Sequence, residues 1–154
     1  MVPEMNRREL LIAFASAVSA LALPAVSGCN SKKEARCKHC GMRIDPTSAW
    51  HAELVGDDGA VTPFDTPRCA LTSWRSGTTP AKTIRVQEYY DRKTREGGEL
   101  RFVIGGDVVG PMGADLVPVD PSRSSKFIQD HGAERALKLD EITSQVLASV
   151  GAPK

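Results

Sequence analysis

Charge of one sign is what this sequence lacks most plainly: 20 basic side chains stand against 19 acidic ones, for a formal net charge of +1. A polyanionic partner such as nucleic acid therefore has no electrostatic handle, and no helical pattern carries a dense Lys/Arg stripe. Glycine has no three-residue period and no apolar heptad persists, which excludes collagen-like and coiled-coil classes. Four cysteines are too few to replace a hydrophobic core with a disulfide scaffold. Only one apolar stretch is long, so a multi-span membrane protein is excluded as well. What remains is one ordinary globular domain within 154 residues.

The single long apolar stretch lies at the N-terminus, where Arg7 and Arg8 precede Leu10 to Val26. It reads as an export signal. Val26-Ser27-Gly28-Cys29 resembles the lipobox of bacterial lipoproteins, in which the cysteine is acylated and the preceding peptide removed. The expected organisation is a signal peptide over 1–28, a polar tether over 29–36 and a domain over 37–154, with Cys29 as the lipidation site. An uncleaved membrane anchor is the competing reading, with a span marginal for a hydrocarbon core of about 30 Å. Arg7-Arg8-Glu9-Leu10-Leu11 matches a twin-arginine export signal only in part, and paired arginines are also ordinary signal-peptide charges.

Within the domain, Ala49 to Val55 alternates as a strand, Gly56-Asp57-Asp58-Gly59 supplies turn residues, and Ala60 to Phe64 returns as a second strand. Asp65 or Thr66 caps a helix that has Pro67 in its first turn and ends at Gly77. Lys82 to Tyr90 alternates as a third strand. The same order recurs downstream: a strand over Leu100 to Ile104, a turn through Pro111-Met112-Gly113, a strand over Leu116 to Val119, and a helix opened by Pro121 and ended near His131-Gly132. A short strand follows over Ala136 to Leu139, then a last helix capped by Asp140 and carrying Ile142, Val146, Leu147 and Val150. The fold class is α+β, built from two β-β-α-β units.

The chemistry concentrates in Cys37-Lys38-His39-Cys40-Gly41-Met42, which packs two thiols, an imidazole and a thioether into six residues. Thiolates and thioethers are soft ligands, and a methionine beside cysteine favours Cu(I) over zinc, which gains little from a thioether. Gly41 has no β-carbon and can take a left-handed turn, letting the sulfurs of Cys40 and Met42 converge. Three readings compete. A Cys-x-x-Cys dithiol could exchange disulfides, although such a motif should follow a strand and open a helix. Cys37, Cys40 and Cys69 with one histidine could form a structural zinc site, although no second Cys-x-x-Cys or paired His spacing accompanies them. A plain disulfide between Cys37 and Cys40 or Cys69 would suit an oxidising compartment.

Cys37-x-x-Cys40-Gly41-Met42, Phe64-Asp65-x-x-x-Cys69 at a helix start, Gly110-Pro111-Met112-Gly113 and His131-Gly132, in that order behind a lipobox, resemble the NosL family. That family consists of lipid-anchored copper-binding accessory proteins of nitrous oxide reductase. The resemblance implies paired β-β-α-β units similar to part of organomercurial lyase. It also implies a non-enzymatic role: a Cu(I) chaperone on the periplasmic side of a bacterial membrane, supplying the reductase or another exported copper enzyme. The family motif places Cu(I) on Cys40 and Met42, with Cys37 the next ligand.

Met112, in its Pro-Met-Gly turn, is either a further thioether ligand or a packing residue. Cys69 reads as a small buried residue of the first helix, because Leu71 and Trp74 continue the same core pattern, and Asp65 reads as a helix cap. His39, His51 and His131 each offer a nitrogen, but His131 has a structural role to play at a helix C-terminus. The chain departs from the family pattern at Ala133, where a second glycine is common, and at Leu139 to Ile142, where a phenylalanine usually begins the segment. The rival functions are a thiol-disulfide oxidoreductase using Cys37 and Cys40, a structural zinc protein, and a lyase for which Asp65 is the one obvious acid.

Overall fold

A computed structural model describes residues 34–151. The expected signal peptide, the expected lipidation site Cys29 and most of the expected tether lie outside the described residues. Ala35 and Arg36, at the end of that tether, pair with the strand-like segment that follows: Ile44 N–H donates to the Ala35 carbonyl at 2.9 Å and Arg36 bridges Arg43. No helix among the described residues is long and apolar enough to cross a membrane.

The first β-β-α-β unit is β1 (Ala52–Val55), β2 (Val61–Phe64), α1 (Pro67–Arg75) and β3 (Thr83–Gln87). The hairpin forms because Asp57 to Gly59 close a tight turn: Asp58 accepts from Ala60 N–H at 2.9 Å, and Gly59 takes φ +80°. Alternation does the rest, with Ala52, Leu54, Ile84 and Val86 turned into the core. α1 packs on all three strands. The second unit repeats the order with β5 (Arg101–Ile104), β6 (Val117–Val119), α2 (Ser124–His131) and β7 (Arg135–Leu137). In both sheets every pairing is antiparallel and the first strand of the unit is central, giving β2-β1-β3 and β6-β5-β7. The expected pair of α+β units is therefore the observed architecture.

The two sheets share a core. Phe102 and Ile104 of β5 join the cluster under α1, whereas Val103 points the other way onto Val117, Val119 and Phe127 of α2. Glu88, fully buried just after β3, pins the units together: its carboxylate accepts from Tyr90 and Asp91 N–H at 2.8 and 2.7 Å and from Asp120 N–H at 3.1 Å. That accounts for the third strand ending at Gln87 rather than Tyr90, since the chain turns to satisfy the carboxylate.

Other elements also differ from expectation: β1 starts at Ala52 rather than Ala49, and β7 ends at Leu137 rather than Leu139. A strand not read from the sequence, β4 (Thr94–Glu96), extends the first sheet beside β3; three polar residues give it no apolar alternation. Pro121 opens a 3-10 turn, with Asp120 capping Ser122 N–H at 2.9 Å, and α2 starts only at Ser124. Asp140 caps nothing: it lies in a 3-10 turn over Leu139–Glu141, and Thr143 caps α3 (Ser144–Ser149) instead. Ile142 is still fully buried, ahead of the helix rather than on it. The C-terminus of α2 is as expected, with Gly132 left-handed at φ +58°.

The segment leading into α3 is held against α1 by Arg75, whose Nε donates to the Ile142 carbonyl at 2.8 Å and whose Nη2 donates to the Leu139 carbonyl at 2.7 Å, and α3 itself packs on α1. This clamp fixes one wall of the cleft described next.

Candidate metal centre

Residues 36–43 form a tight loop closed by its own backbone. Cys37 N–H donates to the Met42 carbonyl and Gly41 N–H to the Cys37 carbonyl, both at 2.8 Å. Gly41 takes φ +76°, the left-handed turn expected of it, and Arg36 Nη1 braces its carbonyl at 3.1 Å. The turn folds Cys40 back beside Cys37. From the other side comes α1, whose start is fixed by Pro67 in the first turn and by Thr66, whose hydroxyl accepts from Cys69 N–H at 3.2 Å. Thr66 is thus the cap, not Asp65.

That cap sets the phase of α1 and aims Cys69 at the loop. The sulfurs of Cys37, Cys40 and Cys69 all lie within 4.8 Å of one another, and all three thiols are free. Cys69 packs in the core as expected, 4% exposed, and at the same time completes a three-sulfur cluster. Cys37 is sealed at 2% exposure and Cys40 is half-buried. Among the described residues these three are the His, Cys, Asp or Glu side chains close enough together to hold one ion. Cys37-x-x-Cys40 opens no helix, so the setting that lowers thiol pKa in disulfide oxidoreductases is missing from this loop.

Local hydrogen bonding divides the three thiols. Burial pushes Cys37 up, but N–H groups of Asp65, Cys40 and His39, with the Cys40 thiol, outweigh it and hold Cys37 below the usual thiol range. Burial pushes Cys40 up, opposed by Met42 N–H and reinforced by Cys37. Burial also raises Cys69 strongly; the Thr66 hydroxyl opposes this and the other two sulfurs add to it. The three thiols thus differ in how readily they give up a proton, and a soft cation that binds all three must displace those protons.

Two of the three thiols, Cys40 and Cys69, line an open cleft of about 560 Å3. Its walls are His39 and Cys40 from the loop, Thr66, Arg68, Cys69, Thr72 and Ser76 from the α1 region, and Met112 with Asp115. Ser144, Leu147 and Ala148 of α3 complete it. Met112 stands on a turn closed by Gly110 and Gly113, the latter at φ +93°, and is 53% exposed. Met42 is 40% exposed on the loop. The structure thus brings Cys37, Cys40 and Cys69 together and puts Met112 and His39 on the same cleft, while Met42 touches the site through its N–H on Cys40.

His51 and His131 lie elsewhere: His51 Nε2 meets Glu53 at 3.4 Å, and His131 Nδ1 meets Asp107 at 2.8 Å while its ring packs on Phe127. Asp65 is buried, with Oδ2 and the nearby His51 Nδ1 lacking partners, and burial raises its pKa against the opposing charge of His51.

Asp115 was not legible as a site residue. Burial raises it to about 6, against hydrogen bonds from the Thr66 hydroxyl and from Leu116 and Arg68 N–H. The two N–H groups donate to Oδ1 at 2.8 and 2.9 Å, tying α1 to the segment that carries Met112. Its one sequence signal was an acidic residue closing a Gly-rich turn just before an apolar strand.

Comparison with known proteins bears on the fold and on the family. The crystal structure of the copper chaperone NosL from Shewanella denitrificans matches with a TM-score of 0.60 at 21% identity, covering 71% of this chain and 90% of that one. At that identity the likeness is one of fold. No curated protein matches the chain. Residues 29–147, which take in the thiol loop, α1, the Met112 turn and most of α3, match NosL, and the chain belongs to the NosL family.

Proposed function

We propose that this protein is a Cu(I) chaperone, anchored through Cys29 to the periplasmic side of a bacterial membrane, which supplies copper for the centres of nitrous oxide reductase. The observation that carries the reading is the convergence of three thiols, two of which line an open cleft. Sulfur donors suit Cu(I), which is content with two or three ligands, whereas structural zinc takes four. The cluster offers three, and the neighbouring methionines, weak donors for zinc, are ones that Cu(I) accepts.

Transfer follows from the same arrangement. Cu(I) held by thiolates at low coordination has room for an incoming soft donor, which bonds before an outgoing one leaves. Cys37, sealed from solvent, would hold the ion from the core side. Cys40 and Cys69, which line the cleft, would be the ones an incoming donor reaches and displaces. Met42 and Met112 stand at the solvent side, where a departing ion could be met by a neutral thioether. Nothing in this scheme makes or breaks a covalent bond of a substrate, so the role is carriage rather than catalysis.

The direct test loads the protein with one equivalent of Cu(I) and mixes it with copper-depleted nitrous oxide reductase under anaerobic conditions. Recovery of the reductase's copper absorption bands, faster than from free Cu(I) at equal chelator-buffered activity, is expected. Equal recovery from both sources would assign the copper to another recipient.

A further inference from the structure

The cleft is far larger than its ion requires. A water molecule's share of liquid volume is about 30 Å3 and a bare Cu(I) needs less, whereas about 560 Å3 lies in the range of sites that enclose a bound molecule. Its lining is also divided. Cys40, Cys69, Met112 and His39 supply donors, while Leu147 and Ala148 of α3 give an apolar floor flanked by the hydroxyl-bearing Thr72 and Ser144.

Access to the ion runs through this space. Cys37 is sealed and is wrapped by N–H groups of the loop and of Asp65; Cys40 and Cys69 are the two thiols of the cluster that line the cleft. Charge then selects what can enter. Cu(I) with three thiolates is net negative, and the buried Asp115 adds to that sign whenever it is ionised, so an anionic donor is repelled and a neutral one is not. Arg68, whose Nη1 also donates to the Ala114 carbonyl at 3.1 Å, lines the same cleft and offsets the charge of Asp115, which leaves the copper–thiolate centre to set the sign. Ser144 and Ala148 of α3 are exposed at the cleft's edge, as are His39, Ser76 and Met112, so the cleft is open to a length of chain entering from outside.

We infer that the cleft between α1 and α3 is the port through which copper leaves, and that it receives a segment of the acceptor protein bearing a neutral thioether or imidazole donor. The inference rests on the copper reading above and names the partner chemistry of the same site. Such a segment lays its apolar side chains on Leu147, bonds its backbone to the hydroxyls of Thr72 and Ser144, and brings its donor against the ion beside Met112.

The test fills the port without touching the thiols. Ala148→Trp and Ser144→Trp place bulk on exposed positions of α3, and Ala148→Leu places less. Cu(I) affinity is measured by equilibrium competition. Handover rates are measured from the loaded protein to fluorescently labelled, uncharged peptides carrying paired Met or paired His, and to the same peptides flanked by Glu. Affinity within about twofold of the parent is expected, with handover slowed at least about tenfold by either Trp and to an intermediate extent by Leu. The uncharged peptides should be faster acceptors than their acidic counterparts. Unchanged handover in all three variants overturns the port, and faster transfer to acidic peptides overturns its selectivity. Failure of the parent protein to bind Cu(I) would instead overturn the copper reading itself.

Discussion

The sulfur of Cys69, on the first turn of α1, lies within 4.8 Å of the sulfur of Cys40, on the loop turned by Gly41, although a whole hairpin separates them in the chain. The contact depends on Thr66, whose hydroxyl accepts from Cys69 N–H and so fixes where the helix begins. It makes Cys69 a member of the three-thiol cluster as well as of the core.

Cys69→Ala separates these two roles. The core loses one sulfur atom, so stability should fall by only about 1 kcal/mol. Cu(I) affinity should fall at least about tenfold, equivalent to about 1.4 kcal/mol, in competition with a chromophoric chelator. Unchanged affinity would return Cys69 to packing alone.

Met42→Leu and Met112→Leu conserve size while removing the thioether. Either should weaken Cu(I) retention or slow its release with the fold intact by circular dichroism. A dithiol oxidoreductase would tolerate both changes, so full thiol-disulfide exchange activity in both variants, with no copper phenotype, would favour that rival.

Gly41→Ala tests the loop. A β-carbon there would meet nothing within 4 Å, so the cost is purely that of a left-handed φ of +76°, about 1–2 kcal/mol. The loop holds Cys40 beside Cys37, so copper affinity should drop, with the thermal midpoint falling by no more than the roughly 4–8 °C that this cost implies. A large fall in midpoint with normal affinity would contradict the assignment of the loop to metal binding.

Asp115 predicts a pH dependence. Its folded pKa of about 6 lies above the usual 3.8, so the folded state holds the proton more tightly than the unfolded one. Its contribution to stability is fully present below pH 3.8 and is lost as pH rises through about 6, a change of at most about 3 kcal/mol. Asp115→Asn keeps an acceptor for Arg68 and Leu116 N–H and cannot ionise, so it should flatten the stability profile between pH 4 and 7 in urea titrations. A variant with the parent's slope would contradict the shift.

Much of this was legible in the chain because its signals are local. Gly56 to Gly59 announces the hairpin, Thr66-Pro67 a helix start, His131-Gly132 a helix end, and Gly41 a left-handed turn within the thiol loop; each depends on residues a few places apart. The duplication followed from seeing that order twice. What escaped was tertiary. β4 has no apolar pattern and exists because β3 has a free edge. The α3 cap is at Thr143 because Ile142 is drawn into the core ahead of the helix. Cys69 reads as core from its own helix, and only the position of the loop shows that an inward-facing thiol also faces two others. Asp115 carries no motif at all, and its importance comes from what burial does to it.

The most direct measurement is a titration of the reduced protein with Cu(I) against a competing chromophoric chelator under anaerobic conditions, with Zn(II) run in parallel. One equivalent of Cu(I) bound tightly, with little uptake of Zn(II), is the expected result. Preferential Zn(II) binding would mean a structural site, and failure to bind either metal would hand the Cys37–Cys40 pair back to redox chemistry.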